Sequence, residues 1–371
     1  YPSAMSKTRF IKGFCEVIPP GLSLSEINSR YAEYFLDASI KVKRRLNFPT
    51  VSKITDGVRE WTNDLTSAYL DRTGLEDVMN FHEADFLGYS AGVGFPHANG
   101  YNDQVQITIK HLFDRRIEAK NAGLEGLSLV LKLMMNSSYG KTLMRDSDKS
   151  NFYISAKRLP AYIISNHNKI ISMEPLNAAE KYYVVNIRNK DIGNYNSVHL
   201  GAAILSMSKR IMNEVMTTAQ DVGASIFYTD TDSIHIFQAD IPKLSEQFTK
   251  TYDRKLIGSY LGQFHTDFDS SKISTKGLCS KEFIALGKKV YIDLLVNDDK
   301  QEDHHIRFKG ANANNITDYC FRNQITPIKL YKQLYAGKKV SLDLCAGKAR
   351  FTYKNNNVFT HRHFIKNFQF V

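Results

Sequence analysis

The stretch Ser225–Phe237, SIFYTDTDSIHIF, constrains the fold of this 371-residue chain more than any other. Two apolar, β-branched and aromatic flanks surround Thr229-Asp230-Thr231-Asp232, a pattern that predicts a β-hairpin carrying two carboxylates at its tip. Residues i and i+2 of a strand share a side, so Asp230 and Asp232 are expected to converge. Two close carboxylates repel unless a cation lies between them. Mg²⁺ suits such a place, because it takes oxygen ligands and keeps positions for water and phosphates. A solvated acidic turn is the plainer reading of D-x-D, and the apolar flanks weigh against it.

Residues 105–142 predict a helical hairpin, with VQITIKHLFDRRIEAK as one arm, NAGLEG as the turn and LSLVLKLMMNSSYGKTL as the other. At about 100° per residue, Lys132, Asn136 and Tyr139 fall on one side of the second arm. Leu127, Val130, Leu131 and Met134 fall on or towards the other, an expected apolar back. A cation, an amide and a phenol ending at Gly140 make a plausible grip for a nucleotide. An ordinary amphipathic helix would show the same pattern.

Elsewhere the basic, alternating IKVKRRLNF closing residues 31–50 predicts a strand exposed on one side, and LTSAYLDRTGLEDV (65–78) one or two helices. GYSAGVGFPHANG contains G-x-G, but Pro96 follows rather than a helix, so a loop is expected. Residues 145–195 are polar with short β-rich pieces (NFYIS, KYYVVNIRN). LGAAILSMSKRIMNEVMTTAQDVG predicts a long amphipathic helix with a glycine stop, and ARFTYK and FQFV short closing strands.

A net charge of +11 favours an acidic partner, nucleic acid ahead of a membrane. Cys15, Cys279, Cys320 and Cys345 show no C-x-x-C pairing, which argues against zinc and for a reducing interior compartment. No apolar run approaches the length of a membrane span and no signal-peptide pattern is present. The expectation is an intracellular protein, not secreted and without a membrane partner.

Three ordered motifs resemble those of family B DNA polymerases. K132-L-M-M-N136-S137-S138-Y139-G140-K141 is similar to the finger motif K-x-x-x-N-S-x-Y-G, with Ser138 where an apolar residue is usual. Y228-T229-D230-T231-D232-S233 is similar to the palm motif Y-x-D-T-D-S, and K289-V290-Y291 to the K-x-Y motif before the thumb. The opening Tyr1-Pro2 resembles the end of the first palm motif, D-x-x-S-L-Y-P, whose Asp would fall five residues before Tyr1. Two inserted modules make the chain look most like the protein-primed branch.

The resemblance implies an α+β right-hand polymerase fold with a palm sheet, helical-hairpin fingers, a small thumb and two insertions. Its parts would be palm (1–30), a first, terminal-protein-region-like insertion (31–104), fingers (105–144), a second insertion (145–195), palm (196–308) and thumb (309–371). It implies two Mg²⁺ ions, with Mn²⁺ as an alternative, on Asp232 and Asp230. Tyr1, Lys120, Lys132, Asn136 and Tyr139 would meet the nucleotide, Tyr1 as a steric gate against a ribose 2′-OH. Ser137, Gly140, Lys141, Thr231, Ser233, Lys289 and Tyr291 would meet DNA, with Arg115, Arg116 and the 41–45 basic run adding backbone contacts.

Primer–template DNA, dNTPs and a terminal priming protein are the implied partners. Because the first palm Asp and an exonuclease domain fall outside the chain, a remnant that binds primer–template without extending it is the alternative. A metal nuclease would leave the finger and K-x-Y motifs unexplained. A reverse transcriptase would carry Y-x-D-D.

Overall fold

The computed structural model describes residues 1–144, 149–176, 181–189, 196–344, 350–354, 357–361 and 365–370. Cys345 and Val371 of the expected closing strand lie outside them. The chain forms two compact units, one of Tyr1–Arg145 and Asn194–His265, the other of Asp146–Gly193 and Thr266–Val371.

The first unit begins with a single helical turn, α1 (Pro2–Met5), and a short β1 (Glu16–Val17). Helix α2 (Leu24–Arg30) starts at a capping box, in which Ser23 and Glu26 satisfy each other's backbone N–H groups. Strand β2 (Tyr31–Lys41) follows, then a hairpin of β3 (Ser52–Thr55) and β4 (Val58–Trp61), and β5 (Ser67–Asp71). Helix α3 (Arg72–Phe81) is capped by Asp71, whose Oδ1 accepts from Gly74 N at 2.8 Å, and β6 (Asp85–Pro96) closes an antiparallel sheet of order β1-β6-β2-β5. On β2, Tyr34, Leu36, Ala38 and Ile40 alternate into a core with Ile27 of α2 and Leu75 and Val78 of α3.

Three expectations change here. The basic run is not strand: β2 ends at Lys41, and Lys43, Arg44 and Arg45 pair with Asp85, Asp221 and Asp64. Residues 65–78 are a strand and then a helix, divided at the capping Asp71. The glycine-rich stretch is β6, not a loop. A Cβ on Gly92 would meet Leu36 Cδ2 at 2.5 Å, and one on Gly94 would meet the Tyr31 ring at 2.4 Å, so these glycines serve close packing. The β3–β4 hairpin turns at Asp56-Gly57, both at positive φ, a D-G turn signal that the motif reading passed over.

Helices α4 (Gln104–Asn121) and α5 (Glu125–Thr142) form the expected hairpin, turning at Gly123 with φ 70°. The expected apolar back of α5 is corrected. Only Leu131 and Met135 are buried, because α5 packs along a narrow seam of four-residue spacing; Leu127, Val130 and Met134 stay exposed.

The chain then enters the second unit with β7 (Lys149–Ser155), α6 (Leu159–Asn166), β8 (Ile170–Pro175) and β9 (Tyr182–Arg188), an antiparallel sheet of order β7-β9-β8. It returns to the first unit in α7 (Val198–Asp221), whose end is marked by Gly223 at φ 66°. The hairpin of β10 (Ile226–Asp230) and β11 (Ser233–Ile236) follows, then α8 (Ile241–Tyr252).

Arg210 fastens α7 to α3. It bonds Asp77 Oδ1 at 2.5 Å, the Thr73 carbonyl at 2.6 Å and Glu76 Oε2 at 3.0 Å, while Asn213 Nδ2 donates to the other Asp77 oxygen at 3.0 Å. Burial lifts the Asp77 carboxyl to about 6 even with this guanidinium beside it.

The remainder of the second unit is a meander of β12 (Cys279–Gly287), β13 (Val290–Val296) and β14 (Glu302–Phe308), with α9 (Ala313–Arg322) and α10 (Pro327–Tyr335). Ile292, Ile306, Ile316, Leu330, Tyr331 and Leu334 make its core. Strands β15 (Val340–Asp343), β16 (Arg350–Lys354), β17 (Asn357–His361) and β18 (Ile365–Phe368) pair as β15–β18 and β16–β17. Cys15, Cys279 and Cys320 are free thiols. Among the described residues no helix is long and apolar enough to cross a membrane.

Candidate active site

Three stretches far apart in sequence meet on the first unit. Beneath them Ala4 and Met5 of α1, Ile109 of α4, Met135 of α5 and Ile204 of α7 share one buried cluster, with Tyr139 packed at its edge. Gly201 lets α7 press on the end of α5, because a Cβ there would fall 2.4 Å from Leu143 Cδ2. Above this core lies an open cavity of about 290 Å³ lined by Tyr1, Asn136, Tyr139, Ser208, Thr231 and Asp232.

The Tyr1 and Tyr139 rings stack, centroids 4.0 Å apart and planes 18° from parallel. Burial and the neighbouring Tyr1 phenol raise the Tyr139 pKa. Asn136 sits on the exposed side of α5 next to Tyr139.

The acidic hairpin forms as expected, with β10 and β11 antiparallel, Asp230 opposite Ser233 and Thr231-Asp232 as the two-residue turn. Thr231 takes φ 60°, the left-handed region that tight two-residue hairpins require. Asp230 and Asp232 therefore do not share one strand face, as their i, i+2 spacing led us to expect. Asp230 ends a strand, and Asp232 lies beyond a left-handed residue, on the turn. Asp232 lines the cavity, whereas Asp230 accepts from the Thr231 hydroxyl at 3.1 Å; the Ser233 hydroxyl donates to the Asp230 carbonyl at 3.2 Å.

The donor chemistry suits a hard cation in part. Asp232 offers carboxylate oxygens to an open cavity with Asp230 two residues away, but the described residues hold no group of three His, Cys, Asp or Glu side chains placed to bind a metal.

The other named residues are not among those that line the cavity. Lys132, Gly140 and Lys141 are exposed on α5, and Lys120 is in the last turn of α4. The Ser137 hydroxyl is turned back to the Met134 carbonyl at 3.1 Å, as is that of Ser138 at 2.8 Å. In the second unit, Lys289 occupies the β12–β13 turn at φ 60°, and Tyr291 is buried on β13 with its ring stacked on His305.

Ser208 was not foreseen. Its hydroxyl makes no intramolecular hydrogen bond among the described residues and lines the cavity. No motif marks it, and only its place on α7, one turn beyond the buried Ile204, puts it there.

Fold and cavity together define a class. This is an α+β right-hand polymerase fold, with helical-hairpin fingers and an acidic hairpin on one unit. Two solved structures of phi29 DNA polymerase share it. The post-translocation binary complex with primer–template DNA matches at a TM-score of 0.61 and 14% identity over 99% of this chain. The complex with single-stranded DNA matches at 0.59 and 17% identity over 100% of it. A curated sequence described as "Probable DNA polymerase", from Podospora anserina, is 26% identical over 289 residues, 68% of this chain.

The resemblance to family B DNA polymerases read from the motifs is thus carried by the fold as well. The chain spans 56% of the solved phi29 chains and 21% of the Podospora sequence. No family model matches it.

Proposed function

We propose that this chain carries the polymerisation centre of a DNA-templated DNA polymerase acting in protein-primed replication. One observation supports this reading above the others: a single cavity is lined from three separate motifs, by Tyr1, by Asn136 and Tyr139, and by Thr231 and Asp232. In this reading the palm comes from 1–30 and 196–308, the fingers from 105–144 and the thumb from 309–371. The modules at 31–104 and 145–195 are the basis for the priming protein as a partner.

Phosphoryl transfer asks the protein for positioning and charge neutralisation more than covalent help. Asp232 and Asp230 would hold Mg²⁺ or Mn²⁺, which when bound supplies the charge that steadies the attacking and departing oxygens. The chain's own side chains do the positioning. Tyr1 and Tyr139 form an aromatic wall against sugar and base, Asn136 and Ser208 offer an amide and a hydroxyl, and Lys132 and Lys120 bring ammonium groups to phosphates. Gly140, Lys141, Ser233 and the Thr231 turn border the DNA, and Lys289 and Tyr291 steady the primer end.

Primer–template binding and primer extension test this, with the parent set against Asp232→Ala. Joined to a first palm motif D-x-x-S-L upstream of Tyr1, the parent is expected to bind and extend, and without it to bind only. Loss of several kcal/mol of charge stabilisation lowers extension about a thousandfold in the variant while binding persists. Binding without extension by the joined parent would shift the reading to a primer–template-binding remnant. Absence of binding would end both readings.

A further inference from the structure

We propose that the β3–β4 hairpin is a single-stranded DNA contact, on which an unpaired base stacks against Trp61 while Arg59 and Lys209 meet the adjoining phosphates. In this antiparallel hairpin Ser52 lies opposite Trp61 and Ile54 opposite Arg59, so these four side chains share one face. Both apolar members are open to solvent, Ile54 at 65% and Trp61 at 50%. An exposed aromatic plane beside an exposed aliphatic side chain offers a contact face to a partner.

The chemistry of the face selects that partner. The Lys209 ammonium sits over the indole, 5.8 Å from the ring centroid, and the Arg59 guanidinium is steadied by the Ser52 hydroxyl at 2.7 Å. Glu60 and Lys53 point to the opposite face, so two cations and an aromatic plane stand together with no carboxylate from the hairpin beside them. A plane flanked by cations fits a base flanked by phosphates. An apolar protein partner gains little from two desolvated cations.

Lys209 follows Ser208, a cavity-lining residue, on α7. At about 100° per residue, however, the two side chains leave the helix in different directions, so the hairpin face is a surface separate from the cavity lining. The inference rests on the reading that the chain takes DNA, but it adds a surface that none of the three motifs touches.

Trp61 is the sole tryptophan of the chain, so its emission reports on this face alone. The probes are a short single-stranded oligonucleotide, a blunt duplex of the same sequence, and heparin, which carries charge without bases. Binding is followed separately by anisotropy of labelled probes. The single strand is expected to quench Trp61 over the range in which it binds, and the duplex and heparin to bind without comparable quenching.

Trp61→Ala should weaken single-strand binding about tenfold, as loss of one stacked base does, and leave heparin binding unchanged. Trp61→Phe, keeping an aromatic plane, should hold the affinity and show that the hairpin is intact. Single-strand binding without quenching, equal quenching by heparin, or unchanged affinity in Trp61→Ala would each overturn the proposal and leave the face to a protein partner. Failure of every DNA to bind would overturn the DNA reading as well.

Discussion

Tyr1 is held where it is by a second tyrosine. The 4.0 Å stack on Tyr139 is an arrangement that adds about 0.5–1.5 kcal/mol beyond burial, and Ala4 and Met5 of the turn that follows are anchored in the core below. In the proposed reading this stack biases the ring towards the side where the sugar of an incoming nucleotide would lie. Tyr1→Val is therefore expected to lower discrimination between deoxyribo- and ribonucleoside triphosphates by at least about tenfold. Tyr1→Phe keeps the ring and should keep the discrimination. The measurement is the ratio of kcat/KM values for the two substrate classes; an unchanged ratio in Tyr1→Val would remove Tyr1 from the sugar pocket. Ser208 shows the limit of motif reading at this scale, since a half-buried hydroxyl on a helix has no signature until the fold shows what it faces.

At the scale of elements, what was legible was local. The α4–α5 hairpin, α7 and the β10–β11 turn each follow from periodicity and turn chemistry within one stretch, and each formed within a few residues of its expected bounds. What was not legible depends on distant partners. Gly92 and Gly94 look like a loop in sequence and are strand because Leu36 and Tyr31 lie over them. The open side of α5 looks like a core face until its one narrow seam of contact is seen.

The same sheet that misled the sequence reading also stores a pH dependence. Burial, helped by the Asp71 charge, raises Glu33 on β2 to about 7. A carboxyl with a folded pKa above its unfolded value binds its proton more tightly when folded. Its penalty is thus fully present above about pH 7 and fades as the pH falls towards the unfolded value. Glu33→Gln keeps a carbonyl oxygen for the Tyr34 and Arg72 N–H groups that Glu33 accepts. The variant should be more stable than the parent at pH 8.5 and match it near pH 5, as read by denaturant midpoints. A constant difference across that range would show that Glu33 is not the titrating group.

For the whole molecule, the net charge of +11 says less than the distribution of its cations. The densest basic run, at 41–45, is largely committed, with Lys43, Arg44 and Arg45 each tied to an aspartate. On the α4–α5 arm, Lys110, Arg115, Arg116, Lys120, Lys132 and Lys141 have no ion pair among the described residues. A cation already facing a carboxylate releases few counterions when a phosphate approaches, whereas a free one contributes its full share to the salt dependence.

The two clusters should therefore separate in one experiment, anisotropy titration of labelled primer–template between low and moderate salt. Arg115→Ala with Arg116→Ala is expected to weaken binding and to flatten the logarithmic salt slope by about one to two units. Arg44→Ala with Arg45→Ala should leave affinity and slope nearly unchanged. It should instead lower stability modestly, and more through the partly buried Arg44–Asp221 pair than through the fully exposed Arg45–Asp64 pair. Equal losses of slope in both double variants would mean that the run at 41–45 leaves its aspartates for DNA. The finger arm would then lose its place as the main electrostatic footprint.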